Sequence, residues 1–251
     1  MSYPLYIVLS LAPSIIWLLF YLRKDAHPES NKMVIKIFFY GMLSAVIAAV
    51  IEIEISLGLS FLGFKNFSIF SFIFYQFITI ALVEELSKFL IVKEKVLSDP
   101  EFDEPVDAPL YMIIAALGFA ALENLLVLFP GLGPFIFKEA LIISAFRFIG
   151  ATFLHALCSG ALGYFLALSI LEPKKRIKLI FTGIVFASIL HGLFNVFIIE
   201  VEKGLATQNR FLLVFSTAGL VLLLAGLALF ISFGFRKLKK IASIYLHSSK
   251  N

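Results

Sequence analysis

The chain has 251 residues, of which 61% are hydrophobic and only 15% charged, and its mean hydropathy is +0.99. That balance lies outside the range of soluble globular domains and marks a polytopic membrane protein. The net charge of +4 points to neither a nucleic acid nor an acidic substrate, because the basic residues sit in short loops between apolar runs.

A bilayer crossing takes about 20 mostly apolar residues. That template predicts an all-α bundle of about seven spans: Tyr3–Leu22, Met33–Ile55, Phe67–Val92, Pro109–Phe129, Glu139–Leu171, Ile177–Ile199 and Arg210–Phe235. No long polar tail remains, so residues 1–251 read as one integral membrane domain with a motif-bearing core over about 67–199. The first apolar run lacks the basic flank and small-residue cleavage site of a signal peptide and reads as a retained span. Arg23, Lys24, Lys93, Lys95, Lys174, Lys175, Arg176, Lys178, Arg236, Lys237, Lys239 and Lys240 fall on one side of this arrangement. Lys65, Lys138 and Lys203 fall on the other. The bias predicts an amino terminus outside and a carboxyl terminus in the cytosol.

Taken in order, the spans differ in what they carry. Glu52 and Glu54 fall at the outer end of the second span, where they are expected to reach water. The third, "FSIFSFIFYQFITIALVEELSKFLIV", holds Glu84, Glu85 and Lys88, and the spacing of Gln76, Ile80, Glu84 and Lys88 by four predicts one helical face. Glu84 precedes Lys88 in the favourable direction for an ion pair. Glu85 lies about 100° away around the helix, so the two carboxylates are not expected to address one point equally; a snorkelling helix end is the bland alternative. The stretch "SDPEFDEPVDAP", residues 98–109, reads as a solvated cytosolic loop.

The fourth span places Glu123 and Asn124 on an Ala/Gly-rich helix able to approach its neighbours closely. The fifth carries Arg147, Ala151, His155, Ser159 and Gly163 at successive turns, and the sixth Gly183, Ala187, His191 and Asn195. Between them "KKRIK", residues 174–178, reads as an anchor against anionic headgroups. Cys158, the single cysteine, reads as a buried packing residue and excludes an internal disulfide. Polar rows on four consecutive spans should face the bundle interior, since lipid offers their atoms no hydrogen-bond partner. Ionisable groups on every one of them point to a shared site.

Glutamate, histidine and asparagine around one cavity suit hydrolysis by activated water. A carboxylate takes a proton from water and later returns it to a leaving amine, while histidine or asparagine stabilises the oxyanion. Two histidines and one or two glutamates equally form a zinc set. With no contiguous H-E-x-x-H in the chain, such a set has to be assembled from separate helices, and the residues leave both chemistries open. Two other classes stay open as well: a non-catalytic membrane scaffold, and a proton-coupled transporter, although no internal repeat supports the latter.

The segments "EELSK" (84–88), "DAPLYMIIAALGFAALEN" (107–124), "RFIGATFLHALCSGALG" (147–163) and "HGLFN" (191–195) stand in an order that resembles the PrsW family of intramembrane proteases, within the larger group of CAAX prenyl proteases and APH subunits. The resemblance covers the third to sixth spans. It implies a multi-pass protease of the bacterial cytoplasmic membrane that acts on a membrane-anchored protein, with lipid as its other partner and no nucleic acid. Family members are linked to first-site cleavage of anti-sigma factors in stress signalling. Carried onto this chain, it makes Glu84, Glu85, His155, His191 and Asn195 the catalytic candidates. Lys88, Glu123, Asn124 and Arg147 become charge-balancing or supporting residues. The candidate metal ligands are His155, His191, Glu84 and Glu123, with zinc and a metal-independent mechanism both open.

Overall fold

A computed structural model describes residues 3–23, 28–62, 69–128 and 137–248. Lys24, Lys65 and the span-edge residues Phe67 and Phe129 lie outside the described residues. The described residues are helical nearly throughout: α1 Tyr3–Leu22, α2 Asn31–Phe61, α3 Ile69–Phe74, a π-helical stretch Tyr75–Leu82, α4 Val83–Lys95, α5 Asp107–Leu128, α6 Phe137–Ile149, α7 Ala151–Leu171, α8 Arg176–Ala206 and α9 Arg210–Ser248.

Among the described residues, six stretches are long and apolar enough to cross a membrane: Tyr3–Leu22, Asn31–Phe61, Asp107–Leu128, Phe137–Leu171, Pro173–Ala206 and Arg210–Ile241. The third expected span is the exception. It is helical over the described residues from Ile69 to Lys95, but the π stretch divides it into three shorter segments.

α5 is the centre of the bundle. From Leu110 to Ala121 it is buried on every face, packed by α7, α2 and α1. Its composition allows this, because small residues let backbones approach where a larger side chain would hold them apart. A Cβ on Gly118 would collide with the Phe38 carbonyl of α2, and one on Gly41 of α2 with the Ala115 carbonyl of α5. Before α5, the acidic loop is a set of turns rather than loose chain. The Asp107 carboxylate accepts the backbone N–H groups of Asp103 at 3.0 Å and Glu104 at 2.7 Å.

One expected boundary is corrected. α2 is capped by Ser30, whose hydroxyl accepts the Met33 N–H at 3.1 Å, and it continues to Phe61, past the expected end at Ile55. Glu52 is therefore an interior position of a long helix, half-buried, while Glu54 is exposed. The fifth span is one apolar stretch, Phe137–Leu171, as expected, with a break at Gly150 that divides it into α6 and α7. Trp17 of α1 secures this break. Its indole N–H donates to the Phe148 carbonyl at 2.8 Å, and its ring stacks on Phe148 and Phe153.

Candidate active site

α4 delivers its charged residues into the most crowded part of the bundle. Glu84 is buried, and Glu85 and Lys88 are 0% exposed, which in an apolar interior is sustainable only with partners. The Lys88 ammonium donates to Glu85 Oε1 at 2.8 Å, His155 Nδ1 at 2.9 Å and Glu84 Oε2 at 3.2 Å. The Phe119 ring lies 4.1 Å from its nitrogen. Lys88 does not snorkel; it is enclosed.

These contacts assign the protons on both histidines. An ammonium only donates, so His155 Nδ1 accepts and its Nε2–H donates to Glu123 Oε2 at 2.8 Å. His191 meets Glu85 Oε1 through Nδ1 at 3.0 Å. An ionised carboxylate only accepts, so that nitrogen carries the hydrogen, and in the neutral imidazole Nε2 then keeps its lone pair. The free Nε2 lies 3.9 Å from Glu84 Oε2.

The adjacent glutamates have separate surroundings, as their angular offset requires. Glu85 is a joint between helices: it holds Lys88 on α4 and His191 on α8, and its second oxygen accepts Ser159 Oγ of α7 at 2.8 Å. Glu84 keeps 10% side-chain exposure and faces both histidines, with its Oε2 3.8 Å from His155 Nδ1 and 3.9 Å from His191 Nε2.

A second layer surrounds His155 on its other side. Glu123 of α5, with a 35% exposed side chain, pairs with Arg147 Nη2 of α6 at 3.0 Å as well as holding His155. Arg147 Nε donates to Asn124 Oδ1, and Asn124 Nδ2 donates to Thr152 Oγ1 at 3.1 Å. The break at Gly150 sits between Arg147 and Thr152, so the turn of chain fastened by Trp17 sets how these two groups meet Asn124.

Eight of the nine residues expected from the sequence thus form one connected network. Asn195 does not join it. It lies one turn beyond His191 on α8, half-buried, with no hydrogen-bond partner among the described residues. The expected row keeps Gln76, Glu84 and Lys88 buried but not Ile80: the wider π turn changes the register before Glu84, and Thr79 and Ala81 are buried there instead.

Four participants were not assigned from the sequence. Ser159 shares the His155 face by its spacing, which does not reveal it as a partner of Glu85. Thr152 and Phe119 carry no sequence signal that separates them from ordinary packing residues. Glu52 was placed at a watery helix end, yet it lies within electrostatic reach of Glu84, Lys88 and Glu123, and its carboxylate has no hydrogen-bond or ion-pair partner among the described residues. Its signal was the length of the apolar run after Ile55.

The family profile described as "PrsW family intramembrane metalloprotease" matches residues 29–227, which include every residue of this network. This chain belongs to the PrsW family. It is similar to "Protease PrsW" of Clostridioides difficile (strain 630), 28% identical over 202 residues that make up 78% of this chain and 79% of the relative. "Protease PrsW" of Geobacillus kaustophilus (strain HTA426) is 27% identical over 185 residues, 73% of this chain and 75% of the relative. That of Bacillus subtilis (strain 168) is 29% identical over 188 residues, 74% and 78% of the two chains. No solved structure matches. Membership of PrsW and the membrane-crossing helices make this a multi-pass bacterial membrane protein and a protease, hence a hydrolase.

The PrsW description includes a metal, and the donors here fit one in kind. Glu84, His155 and His191 each offer one ligand atom, all within 4.8 Å of one another, and two imidazoles with one carboxylate are a catalytic zinc set. His191 Nε2 is ready to bind. His155 Nδ1 binds only if Lys88 releases it. Glu123, the fourth residue expected as a ligand, is instead committed to His155 and Arg147.

Proposed function

We propose that this protein hydrolyses a peptide bond of a membrane-anchored protein, with Glu84 as the base that activates water. The observation that carries the reading is the pair Glu84 Oε2 and His191 Nε2, 3.9 Å apart, both acceptors, at the edge of an otherwise closed network. A water between them at ordinary hydrogen-bond lengths of about 2.8 Å donates one hydrogen to each. Its lone pairs are then left for the carbonyl carbon. Glu84 accepts the proton as the bond to carbon forms and returns it to the leaving amine as the C–N bond breaks.

The other residues hold this arrangement. Glu85 fixes the tautomer of His191 by taking its Nδ1–H, which keeps Nε2 free to accept from water. Lys88 supplies a fixed positive charge beside the base and beside the oxyanion that develops during attack. Asn195 has an uncommitted amide on the same face of α8 as His191 and is our assignment for the oxyanion donor. Glu123, Arg147 and Asn124 orient His155, and through it Lys88. When a metal is bound, Glu84, His155 and His191 would hold it and it would supply Lewis-acid activation of water and carbonyl.

The resemblance to proteins linked with first-site cleavage supports an anti-sigma-type protein as the substrate. Comparing protein amino termini in membranes of stressed cells that express wild type or Glu84→Gln at matched levels tests the whole reading. New termini beside a membrane segment, present only with wild type, are expected. The same new termini in the variant would remove Glu84 from the chemistry, and no wild-type-dependent termini would remove the proteolysis.

A further inference from the structure

The position of Lys88 has a consequence for metal binding. An ammonium has three N–H donors and no acceptor, and this one has three partners: Glu85 Oε1 at 2.8 Å, His155 Nδ1 at 2.9 Å and Glu84 Oε2 at 3.2 Å. Its hydrogen-bonding capacity is full. It lies over Phe119 and is 0% exposed, so it is a cation held in a closed compartment rather than a surface charge at rest.

Two of those three partner atoms belong to the donor trio that suits a metal, Glu84 and His155. His155 Nδ1 has a single lone pair in the ring plane. That lone pair accepts from Lys88 or binds a metal, and cannot do both. Rotating the ring offers no escape, because the opposite nitrogen is held by Glu123 at 2.8 Å. Nor can an ammonium and a dication share the gap between Glu84 and His155, since like charges a few ångströms apart in a poorly hydrated interior repel strongly.

We propose that Lys88 is the resident cation of this site, and that its ammonium and a divalent metal are mutually exclusive occupants of the space between Glu84 and His155. Metal affinity is then set by a lysine that is not a ligand. The glutamate-and-water route and the metal route become two states of one site, selected by whether Lys88 holds His155 Nδ1. This rests on reading the cluster as hydrolytic, but its test reads metal binding and not proteolysis.

Cobalt(II) is the probe, because its visible spectrum reports imidazole and carboxylate ligation in a low-symmetry site. Purified full-length wild type, Lys88→Met and Lys88→Gln are titrated with it in detergent, each also with His191→Ala. The Lys88 variants are expected to bind one equivalent at least about tenfold more tightly than wild type, the scale on which neighbouring groups tune metal sites. The gain is expected to vanish with His191→Ala. Wild type that binds as tightly as the variants, through His191, overturns the proposal. So do folded Lys88 variants with no gain.

If neither Lys88 variant folds, the unfolding midpoint of wild type decides, since a ligand of the folded state raises it with concentration. A His191-dependent rise already complete at one equivalent of cobalt overturns the proposal; a midpoint that cobalt moves only in large excess, or not at all, supports it. An absence of proteolysis in cells would leave each of these readings intact and would count against the hydrolytic function alone.

Discussion

α5 and α9 are both long apolar helices, and the most apolar stretch of α9 exceeds that of α5, yet they occupy opposite environments. Of its most apolar stretch, 72% of α5 is buried inside the protein, against 11% for α9. In water the greasier helix would be expected inside. In a bilayer, lipid is as apolar as leucine, so hydropathy reports only which segments tolerate the membrane. What places a helix at the centre is surface shape and polar cargo. α5 has Ala115, Ala116, Gly118, Ala120 and Ala121 for close backbone contact, and Glu123 and Asn124 that need partners. α9 offers Val214, Phe215, Val221, Leu222 and Leu229 to the outside, all large and exposed.

The sharpest way to break this contrast is to enlarge a contact in the centre. Gly118→Leu forces a side chain against the Phe38 backbone. It is expected to cost upwards of about 1–3 kcal/mol, seen as loss of monodisperse protein on size-exclusion chromatography. The buried joint comes next. Glu85→Gln leaves Lys88 short of an anionic partner and should destabilise by about 3–5 kcal/mol, the range for breaking a buried pair. Its unfolding midpoint should fall together with its activity.

Glu84→Gln separates the two adjacent carboxylates. Cleavage should fall by about 10²–10⁴-fold, the usual contribution of a general base, while the midpoint falls less than in Glu85→Gln. A fall equal to that of Glu85→Gln would mean that both glutamates are structural. Trp17→Phe keeps the stacking on Phe153 but loses the bond to the Phe148 carbonyl. About 1 kcal/mol is expected by thermal unfolding, with partial loss of activity through Arg147. The smallest effect belongs to the rim: Leu222→Ala on α9 should stay within about 0.5 kcal/mol of wild type. A large effect there would show that α9 is covered by protein rather than lipid.

The same contrast explains which parts of the site could be read in advance. Glu84, Lys88, Glu123, Arg147, His155 and His191 were legible because each is an expensive residue in an apolar helix, and expense implies a partner somewhere. Ser159 and Thr152 were not, since hydroxyls in membrane helices usually satisfy themselves on the preceding turn and so advertise nothing. Ser10 and Ser169 do this, whereas Ser159 gives its hydrogen to Glu85. Glu52 and Glu54 interrupt the apolar run and suggest a helix end at Ile55, but α2 continues to Phe61. The break at Gly150 and the π stretch before Glu84 were invisible for a related reason: neither changes composition, only register.

The sequence by itself determined that the chain crosses a membrane several times and that its third to sixth apolar segments carry the costly polar residues. It also identified the family, because costly residues in a fixed order leave a mark that needs no coordinates. Only the tertiary structure decided that Glu85 is a joint and Glu84 lies beside both histidines, that Lys88 fills the space next to His155, and which histidine nitrogens meet a donor or an acceptor. Those facts depend on which of several possible donors lies within about 3 Å of an acceptor. Spacing along a helix gives the face a residue occupies; the neighbour it meets is fixed by how the helices pack.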